Sequence, residues 1–90
     1  MKANLTFDEF PIVKDALERE LALIEAKLQL IKEEVNGFER KFKMSSNKFI
    51  QDFEQGILGD EQEFFEWWGL VRGAKKLEEK MKKIKVVLFS

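Results

Sequence analysis

The residues of this chain that could do chemistry are carboxylates, lysines and arginines, because its 90 residues include no cysteine and no histidine. The chain therefore has no thiolate for a zinc site, no cysteine or histidine for a nucleophilic triad and no imidazole general base. Carboxylate oxygens are the ligands that hard cations such as Mg²⁺ prefer. Six acids and no base lie between residues 52 and 66: Asp52, Glu54, Asp60, Glu61, Glu63 and Glu66.

The spacing of these acids does not support a metal centre. It matches neither a calcium-binding loop nor the Glu-x-x-His motif of a di-iron bundle. The glycines form no phosphate-binding motif either. We interpret the acids as a helix cap and a solvated face, and we expect no catalytic residue, no metal and no cofactor.

The arginines are the remaining candidates for catalysis. Small all-helical chorismate mutases cluster several arginines and lysines in a helical pocket, where they stabilise a dicarboxylate. Here the three arginines, Arg19, Arg40 and Arg72, are spread over both predicted long helices and do not match that spacing. A small helical enzyme of this type is the least favoured of three functional alternatives.

Charge is balanced overall but unevenly placed. Sixteen basic and 17 acidic residues give a net charge of −1, which describes a mixed surface rather than a nucleic-acid binder. Residues 72–85 hold seven bases and two acids. Three interpretations of this basic run remain open. It complements the dipole at a helix C-terminus, it binds phosphate non-specifically, or it contacts the acidic region of a second copy.

The composition also bears on location and assembly. No apolar run approaches the ~20 residues that cross a bilayer, and the first ten residues lack a signal-peptide core, so we expect a cytoplasmic protein. Seven Asn and Gln beside 33 charged residues suit a thermophile. A single 90-residue domain without disulfides has a marginal core, and the remedies that remain are oligomerisation or unusually good helix packing.

A heptad pattern predicts a first long helix over about residues 9–42. Its spacings alternate between three and four through Leu17, Leu21, Ile24, Leu28, Ile31, Val35, Phe38 and Phe42. A second apolar stripe lies beside this seam and consists of Ile12, Ala16, Leu23 and Leu30. Such a wide apolar arc needs more than one neighbouring helix. We expect the helix to continue through Asn36-Gly37, because the seam keeps its phase there.

Two further helices are predicted. A short one over about 46–55 is capped by Ser45 or Ser46 and stopped by Gly56. Gly59 then allows a tight turn, and Asp60 with Glu63 three residues later forms the N-terminal cap of a long helix over about 60–84. An apolar tail at 85–90 follows, which continues the helix, docks on a second subunit or adds as a strand to a partner.

The stretch 63-EFFEWWGLVRG-73 concentrates aromatic residues at the start of the last helix. They surround more than half of its girth, and the nearest cover is the short helix. We predict an aromatic corner that serves as core or as a contact with a second copy; a docking site for a different protein and a ligand pocket are the less favoured alternatives. It consists of Phe49, Phe53, Phe64, Phe65, Trp67 and Trp68.

Residues 42–67, FKMSSNKFIQDFEQGILGDEQEFFEW, resemble a recurring prokaryotic pattern. It reads M-S-S, two phenylalanines four residues apart, G-x-L-G-D and an F-F-E-W helix start. Small helical proteins carry it; most are uncharacterised, and some are encoded beside a predicted toxin and labelled antitoxin-like. The matching positions are Met44, Ser45, Phe49, Phe53, Gly56, Leu58, Gly59, Asp60, Phe64, Phe65, Glu66 and Trp67. The chain departs from it at Lys43, where glycine is common, at Lys48 and at Trp68.

Together these features predict an all-α fold: two long antiparallel heptad-bearing helices with a short helix at the connecting corner, forming a homodimeric helical bundle. The resemblance implies an antitoxin-like partner of a two-protein module, hence a non-enzymatic interaction protein with a possible protein partner. The alternative is a purely structural homodimeric coiled-coil adaptor. We expect no membrane or nucleic-acid partner.

Overall fold

The computed structural model describes residues 9–89, which form three helices. They are α1 (Phe10–Phe42), α2 (Ser46–Glu54) and α3 (Gln62–Phe89). The two long helices contact each other, and the short one lies at the corner between them. The predicted all-α architecture with antiparallel long helices is therefore confirmed.

The first helix is continuous over 33 residues, including Asn36-Gly37 as predicted. Pro11 lies in its first turn, where a missing N–H leaves no bond unmade. The helix ends at Lys43, whose φ of 54° and ψ of 47° place it in the left-handed region. There the backbone N–H groups of Lys43 and Met44 both donate to the Glu39 carbonyl oxygen.

The short helix α2 begins and ends as predicted. Ser45 caps it by accepting a hydrogen bond from the Lys48 backbone N–H at 3.2 Å. At its other end Gly56 has a φ of 75°. The Gly56 N–H donates to the Phe53 carbonyl and the Ile57 N–H to the Asp52 carbonyl, which is the Schellman pattern.

The start of α3 differs from the prediction. The helix begins at Gln62, so Glu61 rather than Asp60 precedes it, and the Glu61 carbonyl accepts from the Phe64 N–H at 3.0 Å. This shift moves Glu63 out of capping-box register. Its carboxylate instead accepts two contacts from Lys41 Nζ, at 2.6 and 2.7 Å. Gly59 is not in the left-handed region; among the described glycines only Gly56 is.

The end of α3 also differs, because the predicted tail belongs to the helix. Helix α3 runs to Phe89, five residues beyond the predicted end, and Ser90 lies outside the described residues. Seven-residue spacing from Met81 places Leu88 on the same helix face. Of the three alternatives for this segment, continuation of the helix is the observed one.

The hairpin is held by contacts between α1 and α3 along its whole length. Glu20 pairs with Lys80 at 3.0 Å and Lys41 with Glu63 at 2.6 Å, which fixes the antiparallel register. The molecule measures 55 × 24 × 19 Å, and its radius of gyration is 17.7 Å against about 12 Å for a compact chain of this length. Its fully enclosed apolar core is correspondingly thin and consists, among residues 9–89, of Ile24, Phe49, Trp67 and Ile84.

Candidate interaction surface

The centre of the aromatic corner is a stacked pair. The rings of Phe49 and Trp67 lie 3.9 Å apart between centroids, with 3° between their planes. Both side chains are completely buried. These two predicted corner residues therefore belong to the core of the single chain, and the short helix is the element that covers Trp67.

Helix α1 supplies the other wall of this corner. Phe38 and Phe42 stack on Trp67 with centroid distances of 5.8 and 5.9 Å. The sequence placed both on the α1 seam and did not include them in the corner. The sequence indicated this contact, since the α1 seam must meet the apolar seam of α3 in a hairpin and Trp67 belongs to that seam. The α3 seam consists of Trp67, Leu70, Ala74, Leu77, Met81 and Ile84.

Two neighbouring serines make different hydrogen bonds at the corner. Ser45 caps α2, while the Ser46 hydroxyl accepts a hydrogen bond from Trp67 Nε1 at 3.0 Å. The Ser46 backbone N–H in turn donates to the Glu39 carboxylate at 2.8 Å. The buried indole N–H is thereby satisfied, and α2 is tied to both long helices.

The remaining corner residues face outward to different degrees. Phe53 and Phe64 are half-buried and contact the central pair, whereas Phe65 is 50% exposed. Trp68 donates from Nε1 to the Glu54 carboxylate at 3.0 Å, and the Arg72 guanidinium lies 5.8 Å from its ring. The outer part of the corner is thus an amphipathic rim rather than a binding pocket.

Below the corner, α2 no longer covers the hairpin, and a cleft opens between α1 and α3. The cleft has a volume of about 780 Å³, and its upper end is bounded by Ser46 and Asn47 of α2. Its apolar floor is formed by Leu28, Ile31, Val35, Val71, Ala74 and Met81.

A second cleft of about 230 Å³ lies further along and includes Leu21 and Leu88. Leu21 and Leu28 are seven residues apart, and so are Met81 and Leu88. Residues at this spacing share one helix face, so the two clefts lie on the same face of the hairpin. We call them together the open groove.

The walls of the open groove carry charges of both signs. Glu18 and Glu25 line its lower part on α1, and Lys32 follows seven residues later. On α3 the wall contains Glu78 and Lys82. An apolar floor between charged walls is the surface pattern onto which a further helix packs.

A second apolar strip runs along the outside of α1. Its larger members are strongly exposed: Ile12 is 71% exposed, Leu23 56% and Leu30 61%. Together with Ala16 these residues make the back stripe. It was predicted from the helical phase of the sequence, and it faces away from the open groove.

The residues considered for chemistry do not converge. Within residues 9–89 no three carboxylates are grouped in a way that could hold a metal ion. The acids are instead used locally: Asp52 pairs with Lys48 at 3.2 Å and Glu54 with Trp68. Asp60 and Glu66 are exposed.

The arginines are equally dispersed. Arg19 pairs with Asp15 at 3.2 Å on the exposed side of α1. Arg40 lies 21 residues further along the same helix, a distance of roughly 30 Å. Arg72 is on α3 beside Trp68. No pocket that gathers arginines for a dicarboxylate is formed by the described part of the chain.

No protein-family model, no curated protein and no solved structure matches this chain. In the described residues no helix is both long enough and apolar enough to cross a bilayer.

Proposed function

We propose that this chain is a non-enzymatic, cytoplasmic interaction protein whose helical hairpin becomes complete only when another polypeptide covers the open groove. The observation that supports this most directly is the extent of the cover that α2 provides. Nine residues of α2 span about 14 Å, whereas α1 is about 50 Å long. Most of the apolar face therefore has no cover among residues 9–89.

The amount of surface supports the same proposal. The accessible area is 7108 Å², against about 5,500 Å² expected for a compact monomer of 10.6 kDa. The excess is about twice the roughly 800 Å² that each partner buries in a standard interface. A second polypeptide seated in the open groove through a standard interface would remove about half of this excess.

The test is the solution mass of the purified chain by light scattering, alone and co-expressed with the products of the reading frames that flank its own. A stable complex with one of these products, or a stable homo-oligomer, supports the proposal. The proposal is refuted if the chain binds no flanking product and is a rigid monomer in dilute solution. The melting temperature of such a monomer would not depend on protein concentration.

The narrower version of the function is an antitoxin-like partner of a two-protein module. It rests on the resemblance of residues 42–67 alone. In this version the flanking product is a toxin, and co-expression of the chain relieves growth arrest caused by that product. A chain that neither binds the flanking product nor relieves arrest excludes the antitoxin role and leaves the interaction role standing.

The second candidate is a purely structural homodimer, and the back stripe is the observation that favours it. A chain with two exposed apolar strips can bury one against its own copy and still pack along the other. Stable self-association through the back stripe, in the absence of any bound flanking product, distinguishes this candidate from the first.

A further inference from the structure

We propose that the polypeptide that fills the open groove is a second copy of this chain, lying antiparallel to the first. The inference rests on the proposed function and specifies its partner. It concerns the groove face and not the back stripe. The result is a four-helix bundle in which each α1 packs on the partner's α1 and each α3 on the partner's α3.

The position of α2 determines the orientation. Ser46 and Asn47 close the upper end of the open groove, so α2 protrudes from the groove face at that end and forms a step there. Two copies packed in the same direction would bring both steps to the same end, where each would occupy the space of the other copy's long helix. In an antiparallel pair each copy ends where the other's α2 begins.

The charges on the groove walls support the same orientation. The lining of the groove on α1 runs from Lys14 to Glu39, and Glu39 is hydrogen-bonded to Ser46 of α2, so the open part ends near Asn36 and has its midpoint at Glu25. An antiparallel copy centred there brings Glu18 opposite the partner's Lys32 on both sides of the axis, where the two copies of Glu25 meet.

The wider charge pattern agrees with this arrangement. The exposed acids Asp60, Glu61 and Glu66 lie at the corner end, and the basic run 72–85 lies toward the other end of α3. Reversing one copy against the other brings the acidic end of each to the basic end of its partner. This complementarity of the two ends adds to the steric argument from α2 for the antiparallel arrangement.

A matched pair of substitutions tests the choice of face. Leu28→Glu places a charge on the groove floor, and Leu30→Glu places the same charge on the back stripe two positions away. We expect Leu28→Glu to weaken self-association on the order of a hundredfold in sedimentation equilibrium, and Leu30→Glu to change it less than about threefold. Circular dichroism checks that both variants remain helical. The reverse ranking overturns the proposal.

Spin-label distances test the orientation without disturbing the groove floor, and the absence of native cysteine makes single labels clean. Labels at Glu25→Cys should be close together across the two-fold axis. Labels at Lys14→Cys should be about 30 Å or more apart, because each lies 11 residues from the midpoint in opposite directions. Labels at Lys27→Cys, on the back-stripe side, should be well separated.

The remaining outcomes are decisive as well. Equal distances at positions 14 and 25 indicate a same-direction dimer, and a shortest distance at position 27 indicates a back-stripe dimer. Either result overturns the antiparallel groove dimer while leaving the interaction function intact. A chain that is monomeric alone but binds a flanking product also overturns this inference only. A chain that binds neither itself nor such a product refutes both.

Discussion

The indole of Trp67 lies parallel to the phenyl ring of Phe49 at 3.9 Å between centroids, and this stack joins α3 to α2. Phe38 and Phe42 close the opposite side of the same indole. Trp67 of α3 therefore contacts both of the other helices. The stack is internal to one copy, so its loss should be visible as a loss of folding stability whatever the chain binds.

Replacing Trp67 with alanine should lower the free energy of unfolding by about 3–5 kcal/mol, because it removes the largest fully buried side chain. Urea denaturation followed by circular dichroism measures the change. Phe65→Ala is the matched control, since that ring is 50% exposed and should cost much less. A loss below about 1 kcal/mol for Trp67→Ala would show that the corner is not the core.

The hydroxyl of Ser46 should matter through the indole that it satisfies. Ser46→Ala leaves Trp67 Nε1 without its 3.0 Å acceptor, and an unpaired buried donor costs about 1–3 kcal/mol. A double-mutant cycle with Trp67→Phe isolates this term, because phenylalanine has no N–H to satisfy. The cost of Ser46→Ala should fall in the Trp67→Phe background. An equal cost in both backgrounds would assign the effect to helix α2 itself.

The hairpin, its seams and the stop of α2 could be predicted from the sequence because they depend on local spacing. Leu21, Leu28 and Val35 repeat at seven residues, and Gly56 is the residue type that ends helices in the left-handed region. The start of α3 could not be placed, since Asp60 and Glu61 are both acids that suit a helix N-terminus. In the structure the Glu61 carbonyl accepts from the Phe64 N–H at the start of α3, and Glu63 pairs with Lys41 across the hairpin.

The C-terminal segment was hard to predict for a different physical reason. Val86, Val87 and Phe89 have strong β propensity, yet they lie exposed on α3, and only Leu88 of this segment is partly buried. Leu88 continues the α3 seam and keeps the helix in register to its end. The corner was predicted from composition, but the Phe49–Trp67 stack depends on how α2 crosses α3, which residue spacing within either helix does not encode.

The two glycines between α2 and α3 should respond differently to substitution. Gly56 has a φ of 75°, so Gly56→Ala should cost about 1–2 kcal/mol from backbone strain. Gly59 lies outside the left-handed region, and a Cβ there meets no atom within 4 Å. Gly59→Ala should therefore be neutral or slightly stabilising. Thermal unfolding of the two variants gives the comparison, and equal shifts in Tm would contradict it.

Lys43 offers a stabilising change, because it holds a left-handed conformation that favours glycine. Its φ is 54°, and its backbone N–H donates to the Glu39 carbonyl at the end of α1. Lys43→Gly removes the steric strain of the side chain and retains this hydrogen bond, so it should raise the free energy of unfolding by about 0.5–1 kcal/mol. The matched control is Lys48→Gly, which falls inside α2 and should lower the free energy of unfolding by about 1 kcal/mol. Chemical denaturation measures both changes. If Lys43→Gly destabilised the protein as much as Lys48→Gly does, the left-handed end of α1 would be wrong, and with it the path by which the chain leaves α1 and places α2 over Trp67.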